Sequence, residues 1–322
     1  MIARFAIPFF LVMVLVVVPL VLAALFKYVL PRKVWRKTAI ACTLIIWALA
    51  GYGFLFGFQQ FQVRHVEYAS ADLPEAFDGY RIVQFSDAHV GSMTGARQWM
   101  VQRAIDSINA QHADAIVFTG DMQNIWPDEL TPLTASFRQL KAKDGVFAVL
   151  GNHDYDMYQD CDEAEKTENC KKTVKALRDM GFDLLLNEHR VIRRDSDSIV
   201  IAGMENWGLS KRMPRKGDVE KTLTNPSPLT THPYTIMLQH DPTCWREKIL
   251  PECKAQLTLS GHTHGGQVSI FGWSPVAMRY SEWGGMTYEG SRAIYVSTGL
   301  GALIPFRFGL PGEIVVITLK KK

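Results

Sequence analysis

Five short polar clusters hold most of the side chains able to do chemistry. They are Ser86-Asp87-Ala88-His89, Gly120-Asp121-Met122-Gln123-Asn124, Gly151-Asn152-His153-Asp154, Gln239-His240-Asp241 and Gly261-His262-Thr263-His264-Gly265-Gly266-Gln267. Five of the nine histidines fall within them. Oxygen and imidazole donors together suit borderline divalent ions, Mn2+ first with Fe2+ or Zn2+ as alternatives, and nothing here indicates a soft, thiolate-bound metal. A carboxylate such as Asp121 has two oxygens and can bridge two cations. Two ions about 4 Å apart clamp the attacking and leaving oxygens of an in-line displacement at phosphorus and make hydroxide available near neutral pH. Taken singly, an Asp-x-His or an Asn-His is more often a turn, a cap or a satisfied histidine. The signal is the series, in which every cluster closes an apolar run. If the backbone stays extended, Asp87 and His89, and likewise His262 and His264, point alternate side chains into a common pocket.

Those apolar runs are the elements that must position the clusters. Arg81 to Ser86, Ala115 to Thr119 and Val146 to Leu150 read as strands. The segment Ala96 to Gln111, with Val101, Ala104, Ile105 and Ile108 at helical spacing, lies between the first two, and a second helical stretch starts near Pro127. This is a β-α-β-α-β opening, which places functional loops at the carboxyl ends of parallel strands. Later strands are expected at Ser198 to Gly203, Tyr234 to Gln239, Gln256 to Ser260, Ala293 to Ser297 and Glu313 to Leu319, with few helices between them. A second, mixed sheet packed on the first follows from that sparseness.

The 322 residues carry 35 Lys+Arg against 32 Asp+Glu, and the formal charge of +3 hides a split. Residues 1–60 contain six basic residues (Arg4, Lys27, Arg32, Lys33, Arg36, Lys37) and no acid, which leaves 29 basic and 32 acidic residues for 61–322. The excess sits beside apolar runs, so no nucleic-acid partner is expected. Phe5 to Phe26 is uncharged, 22 residues long, and enough to cross a hydrocarbon core of about 30 Å. Thr38 to Phe61 is a second uncharged run. Buried core helices and a cleaved signal peptide are the alternatives, disfavoured by two successive runs without a polar face and by the absence of a small-x-small cleavage site. Between the runs, Lys27 to Lys37 holds five positive charges, which assigns this loop to the cytoplasm and residues 62–322 to the outer side of a cell (inner) membrane. Cys42 lies in the second run, while Cys161 with Cys170 and Cys244 with Cys253 are spaced as two short-loop disulfides of an oxidising compartment would be, or as four reduced thiols. The division is then 1–61, a two-helix membrane hairpin; 62–79, a linker; and 80–322, the catalytic domain.

Asp87-x-His89, Gly120-Asp121, Gly151-Asn152-His153-Asp154, His240 and Gly261-His262-x-His264 resemble the ordered motifs of calcineurin-like metallophosphoesterases. The ending Gly299-Leu-Gly with Pro305-Phe-Arg-Phe-Gly309 and Pro311-Gly-Glu-Ile314 looks like the membrane-anchored bacterial branch. The resemblance spans residues 80–319 and implies an α/β fold, a four-layer αββα sandwich, here preceded by a transmembrane hairpin. It implies one divalent metal held by Asp87, His89, Asp121 and His264, and another by Asp121, Asn152, His240 and His262. It implies too that His153 stabilises and protonates near the scissile phosphate, with Asp154 positioning it. A dinuclear phosphoesterase acting on a lipid, glycan or nucleotide phosphate is the expected function. The alternatives are a pyrophosphate hydrolase of UDP-2,3-diacylglucosamine in lipid A synthesis, whose cytoplasmic substrate conflicts with the assigned side, and a non-catalytic metal-binding scaffold, disfavoured by the full ligand set. A transporter is disfavoured because neither apolar run carries an acidic or basic residue.

Other residues frame this site. His65, His112, His189 and His232 read as surface or linker histidines. Asp241 and Gln267 could orient ligand imidazoles or shape turns. Tyr155 to Lys172 is acidic and reads as a solvated loop or a lid. Asn206 to Pro228 carries Lys211, Arg212, Arg215 and Lys216, a surface loop or a phosphate contact. Phe271 to Tyr288 is rich in aromatics and Met, with packing against the sandwich the first reading and lipid contact the second. Arg307, between two phenylalanines, is a candidate phosphate contact.

Overall fold

Strands buried on both faces read as mostly apolar runs, and the central strands here do, with Gln84, Thr235 and Thr258 as buried polar exceptions. The structure is a computed structural model that describes residues 9–226 and 233–322. Arg4, His232 and positions 227 and 228 of the Asn206 to Pro228 loop lie outside the described residues. Twelve strands form two six-stranded sheets. They are β1 (Phe61–Ser70), β2 (Arg81–Phe85), β3 (Ala115–Phe118), β4 (Gly145–Ala148), β5 (Asp183–Leu184), β6 (Glu188–Arg194), β7 (Asp197–Gly203), β8 (Tyr234–Leu238), β9 (Leu257–Ser260), β10 (Gly285–Glu289), β11 (Arg292–Val296) and β12 (Gly312–Lys321). The first sheet runs β1-β12-β2-β3-β4-β5 and the second β10-β11-β9-β8-β7-β6. In the first, β2 to β5 are parallel and β12 lies antiparallel to β2. In the second, β7, β8, β9 and β11 are parallel, with β6 and β10 as antiparallel edges.

The pleat sends alternate residues to opposite faces, and three cores result. Ile82, Ala115, Val117 and Phe147 of the first sheet meet Ile201, Ile236, Leu238 and Leu259 of the second in the inter-sheet layer. Val83, Phe85, Ile116 and Phe118 face outward and are covered by Val101, Ala104, Ile105 and Ile108 of the helix Trp99–Asn109 and by Leu177 of the helix Glu163–Asp179. Val200, Met237 and Ile294 are covered on the other side by Trp245 and Ile249. This is the expected four-layer αββα sandwich. All five crossings that matter for the site therefore end at one rim of the two sheets.

The helices Phe9–Val29 and Arg32–Gln59 precede it, each long and apolar enough to cross a membrane by length and composition. Phe9, Leu20, Val21, Ile40, Leu44 and Ile45 on them are exposed.

The first half of the linker expected at 62–79 is a strand. Residues 61–70 pair in parallel with 312–321 from Phe61 opposite Gly312 to Ser70 opposite Lys321. Its polar residues belong to an edge strand with one solvent face. His189, read as a surface residue, is buried on β6, where Nδ1 bonds the Thr222 carbonyl at 2.9 Å. His65 and His112 are exposed as expected. All five cysteines are free thiols. Helical turns separate the members of each local pair, residues 163–170 in one and 245–252 in the other. At about 1.5 Å per residue such a rise is on the order of 10 Å, against about 4.4–6.8 Å between the Cα atoms of a disulfide. The cysteines thus give no support to an oxidising compartment.

Candidate metal centre

Three of the five ligand-bearing segments leave their strands through left-handed turns, contrary to the extended geometry expected. Asp87 and His89 have φ of 52° and 42°, Asp121 62°, and His262 and His264 73° and 52°. Such conformations cost of order 1–3 kcal/mol apiece for residues with a Cβ and collect where surrounding structure enforces a function. The enforcement is visible. A Cβ on Gly261 would run into the Ser86 hydroxyl and the Asp87 carboxylate, so only glycine lets these two turns touch.

Two groups of donors meet at Asp121. His264 Nε2 lies 3.4 Å from Asp87 Oδ1 and 3.2 Å from His89 Nε2, and His89 Nε2 is 3.7 Å from Asp121 Oδ2. On the other side, His240 Nε2 is 3.2 Å from the same Asp121 Oδ2, 3.1 Å from Asn152 Oδ1 and 3.2 Å from His262 Nδ1. The seven residues named as ligands from the sequence thus lie together around Asp121. Imidazole nitrogens facing one another without a proton between them repel, unless a cation fills the gap. Two ligand atoms each about 2.1 Å from one ion stand about 3.0–3.4 Å apart, so these separations fit metal coordination.

Neighbouring groups fix which atom four of the ligands present. His240 Nδ1 bonds the Thr119 carbonyl at 2.7 Å, leaving Nε2 as its donor toward a metal. Asp121 Oδ1 accepts the His153 backbone N–H at 2.8 Å, which leaves Oδ2 to be shared. The Asn152 amide donates from Nδ2 to the Tyr158 hydroxyl at 2.9 Å, turning Oδ1 inward. His262 Nε2 meets the Tyr280 hydroxyl at 3.1 Å, with Asp241 Oδ2 at 3.6 Å. Asp241 therefore does border a ligand, while its Oδ1 caps the following turn at Thr243. Gln267 does not; its amide holds the carbonyls of Ile304 and Phe306.

His153 places a ring nitrogen within 4.8 Å of donor atoms of His89 and Asp121. Its Nδ1 bonds the Asn124 carbonyl at 2.6 Å, so Nε2 is the nitrogen left for chemistry, and the Tyr158 ring packs on it with centroids 4.3 Å apart. Asp154 does not touch this imidazole. Its carboxylate accepts backbone N–H groups from Asp121 (2.9 Å), Met122 (3.0 Å), Gln123 (3.4 Å) and Gly151 (2.9 Å), tying the two central loops together. Any positioning of His153 by Asp154 runs through the backbone.

Tyr158 and Tyr280 were not singled out by sequence, since a tyrosine six residues from Asn152, or one in an aromatic run, carries no spacing signal. Arg307 is corrected outright. It is buried, and its Nη2 is directed at the carbonyls of Thr298 (2.8 Å), Gly299 (3.0 Å) and Gly301 (2.7 Å). Arg307→Ala is expected to cost about 3 kcal/mol or more by stranding those acceptors, read as a lower thermal midpoint with metal present. The acidic segment after His153 is neither a solvated loop nor a flap over most of its length; it continues into the helix Glu163–Asp179, capped by Asp162. Phe271, Trp273 and Met278 are exposed, whereas Met286 packs against the inter-sheet core and the Tyr288 ring meets that of Tyr68 with centroids 6.3 Å apart, so the packing first read holds for the end of this run and not for its start. Lys211 and Arg212 are exposed, and the Arg215 guanidinium bonds the carbonyl of Gly208 at 3.1 Å.

The charges are strongly coupled. Burial opposes ionisation of both Asp121 and His240, yet each holds the other charged: His240 and the other histidines keep Asp121 well below the usual carboxylate range, and Asp121 pushes His240 up to about 10. Burial raises Asp87 to about 6 and Asp154 to about 7. Burial lowers His89 to about 3 and also lowers His153, His262 and His264. At about pH 8 the metal-free site then keeps one ligand proton, on His240, which a metal must displace. Mn2+ binding at that pH is expected to release about one proton and to weaken as pH falls. Calorimetry in buffers of different ionisation enthalpy reads this, and a binding heat independent of buffer contradicts it.

Comparison with known proteins gives the family. The family described as calcineurin-like phosphoesterase matches residues 80–266. The chain is 33% identical over 298 residues to a zebrafish (Danio rerio) protein named transmembrane protein with metallophosphoesterase domain, covering 89% of this chain and 63% of that one. It is 33% identical over 282 residues to the metallophosphoesterase YkuE of Bacillus subtilis, covering 84% of this chain and 90% of that one. Among solved structures, the sulfate thiohydrolase SoxB of Thermus thermophilus superposes with a TM-score of 0.41 at 13% identity, over 78% of this chain and 58% of that one.

Proposed function

The chain belongs to the calcineurin-like phosphoesterase family, and on that footing we propose that it is a membrane-anchored, dinuclear-metal phosphoesterase acting on a lipid, glycan or nucleotide phosphate. One observation carries the reading: a single oxygen, Asp121 Oδ2, stands between two complete donor sets. Asp87, His89, Asp121 and His264 would hold one ion, and Asp121, Asn152, His240 and His262 the other. Mn2+ heads the choice for this mixed oxygen and nitrogen set. When bound, two dications neutralise phosphoester charge and make hydroxide available near neutral pH.

The chain's own groups do the rest. Asp121 and Asn152 are locked in one orientation by His153 N–H and Tyr158, so the site is organised before substrate arrives. His153, with Nδ1 tied to Asn124, presents Nε2 to the phosphoryl group and the leaving oxygen. Burial lowers its pKa, and the negative charge of a phosphate raises it again, so the imidazole gains its proton when there is a leaving group to receive it.

Two apolar helices with a Lys/Arg loop between them support an anchor whose catalytic domain faces outward, and the zebrafish relative's name contains the word transmembrane. The test is turnover of nitrophenyl phosphate monoesters and diesters by the full chain in detergent. Turnover that disappears on chelation and returns with Mn2+ is expected; no metal-dependent turnover on either class overturns the enzyme reading and leaves a scaffold.

A further inference from the structure

We propose that the turn Ile270–Trp273, with Met278, is a membrane-interfacial platform that opens the metal pocket onto the headgroup layer, so that the substrate is an amphiphilic phosphoester whose apolar chains stay in the bilayer. This rests on the anchored phosphoesterase reading and deepens it.

The outward end of the hairpin is joined to the catalytic domain. Gly53 of the second apolar helix leaves a notch that the Phe306 ring fills, and Phe306 also contacts Phe54 and Phe10 with centroids 5.2 and 5.1 Å apart. Arg307 N–H donates to the Gly53 carbonyl at 3.2 Å, and Phe308 meets Tyr52 edge-on. Gly53 lies about 30 Å along its helix from Arg32 in the basic loop, so this junction sits at the opposite membrane surface.

The same junction holds the last metal motif. Phe308 donates to the Gln267 carbonyl at 2.9 Å and accepts from Ser269 N–H at 2.9 Å, three and five residues beyond His264. Immediately afterwards, Ile270 and Trp273 exchange both backbone bonds, at 2.9 and 3.1 Å, around Phe271 and Gly272. Both central residues have positive φ, 52° and 82°. Asn or Gly is the usual first residue of such a turn, and a phenylalanine there is strained. Nothing in the fold repays that cost, because Phe271 is fully exposed, with Ile270 and Trp273 each 54% and Met278 83% exposed. The run 262–281 contains no acidic residue and one arginine, Arg279, so it carries nothing that an anionic headgroup layer would repel. A bilayer surface repays the strain by taking in the aromatic and Met side chains. Tyr280, on the same segment, reaches His262, so the platform leads straight to the metal pocket.

The full chain in nanodiscs made with dibrominated phospholipid provides the test. The fluorescence lost in Trp273→Phe is expected to be quenched by the brominated chains, as is that lost in Trp47→Phe within the hairpin. Quenching at Trp47 without quenching at Trp273 overturns the platform and leaves the anchored enzyme standing; quenching at neither overturns the anchor, and the platform with it. In a second arm, hexadecyl and ethyl nitrophenyl phosphate are compared in the same discs. The hexadecyl ester is expected to be preferred by about tenfold or more in kcat/KM. Phe271→Asp with Trp273→Asp is expected to erase that preference while leaving the ethyl ester unchanged. Equal kcat/KM on the two esters in the unmodified protein overturns the substrate class.

Discussion

Asp121→Asn is expected to lower kcat/KM by about 10³-fold or more on any phosphoester and to reduce bound Mn2+ from about two ions per chain to one or none. Asparagine is the informative replacement. It tolerates the φ of 62° at this position and keeps an acceptor for His153 N–H, so the backbone has no reason to move. What goes is the charge that both donor sets share. Two ions in contact with one neutral amide repel with little between them, and His240 loses the carboxylate that keeps it protonated in the metal-free protein. Metal analysis of the purified variant, beside its rates, decides the matter. Two ions retained with activity within about tenfold would show that Asp121 is no bridge.

The second large effect separates chemistry from binding. His153→Ala is expected to lower kcat on alkyl phosphoesters by about 10²- to 10⁴-fold with both ions still bound, because the ring supplies a proton and no ligand atom. The loss should be small on nitrophenyl esters, whose leaving group departs as a stable anion, and large on alkyl esters, which need protonation. The same ring nitrogen lies close enough to His89 and Asp121 to ligate. If metal content falls along with rate, or if the loss is the same for both leaving groups, His153 is a ligand or a structural residue and not the acid.

The donor set was legible in sequence because each cluster is short, follows a recognisable apolar run and uses residue types that have little packing value at a strand exit. Its geometry was not. Asp87, His89, Asp121, His262 and His264 converge through left-handed turns that tertiary contacts impose, such as Gly261 against Asp87. The orientation of His153 depends on a backbone carbonyl at Asn124, which carries no residue signature. Arg307 misled for a related reason. Its place between Phe306 and Phe308 looks like part of a site, while its charge is consumed by carbonyls that only the folded loop brings together.

The parallel strands of the core were visible as apolar runs, whereas the edges were hidden. Glu188–Arg194 carries Arg190, Arg193 and Arg194, and Phe61–Ser70 carries Arg64, His65 and Glu67. Charged residues on an outer strand discourage pairing with another molecule, and they also blur the alternation by which a strand is recognised.

The pairing of β1 with β12 carries a consequence for biosynthesis. Strand 61–70 leaves the ribosome directly behind the hairpin, but its partner, 312–321, follows roughly 240 residues later, on the order of 10–50 s at ordinary translation speeds. Until then the first sheet is open at one side and β12 itself does not exist, so β1 waits, tethered at the bilayer, with its hydrogen-bonding edge bare. Ribosome-bound intermediates stalled before residue 312 should therefore be sensitive to protease between 61 and 79 and dependent on holdase chaperones, and full protection should arrive in a single late step.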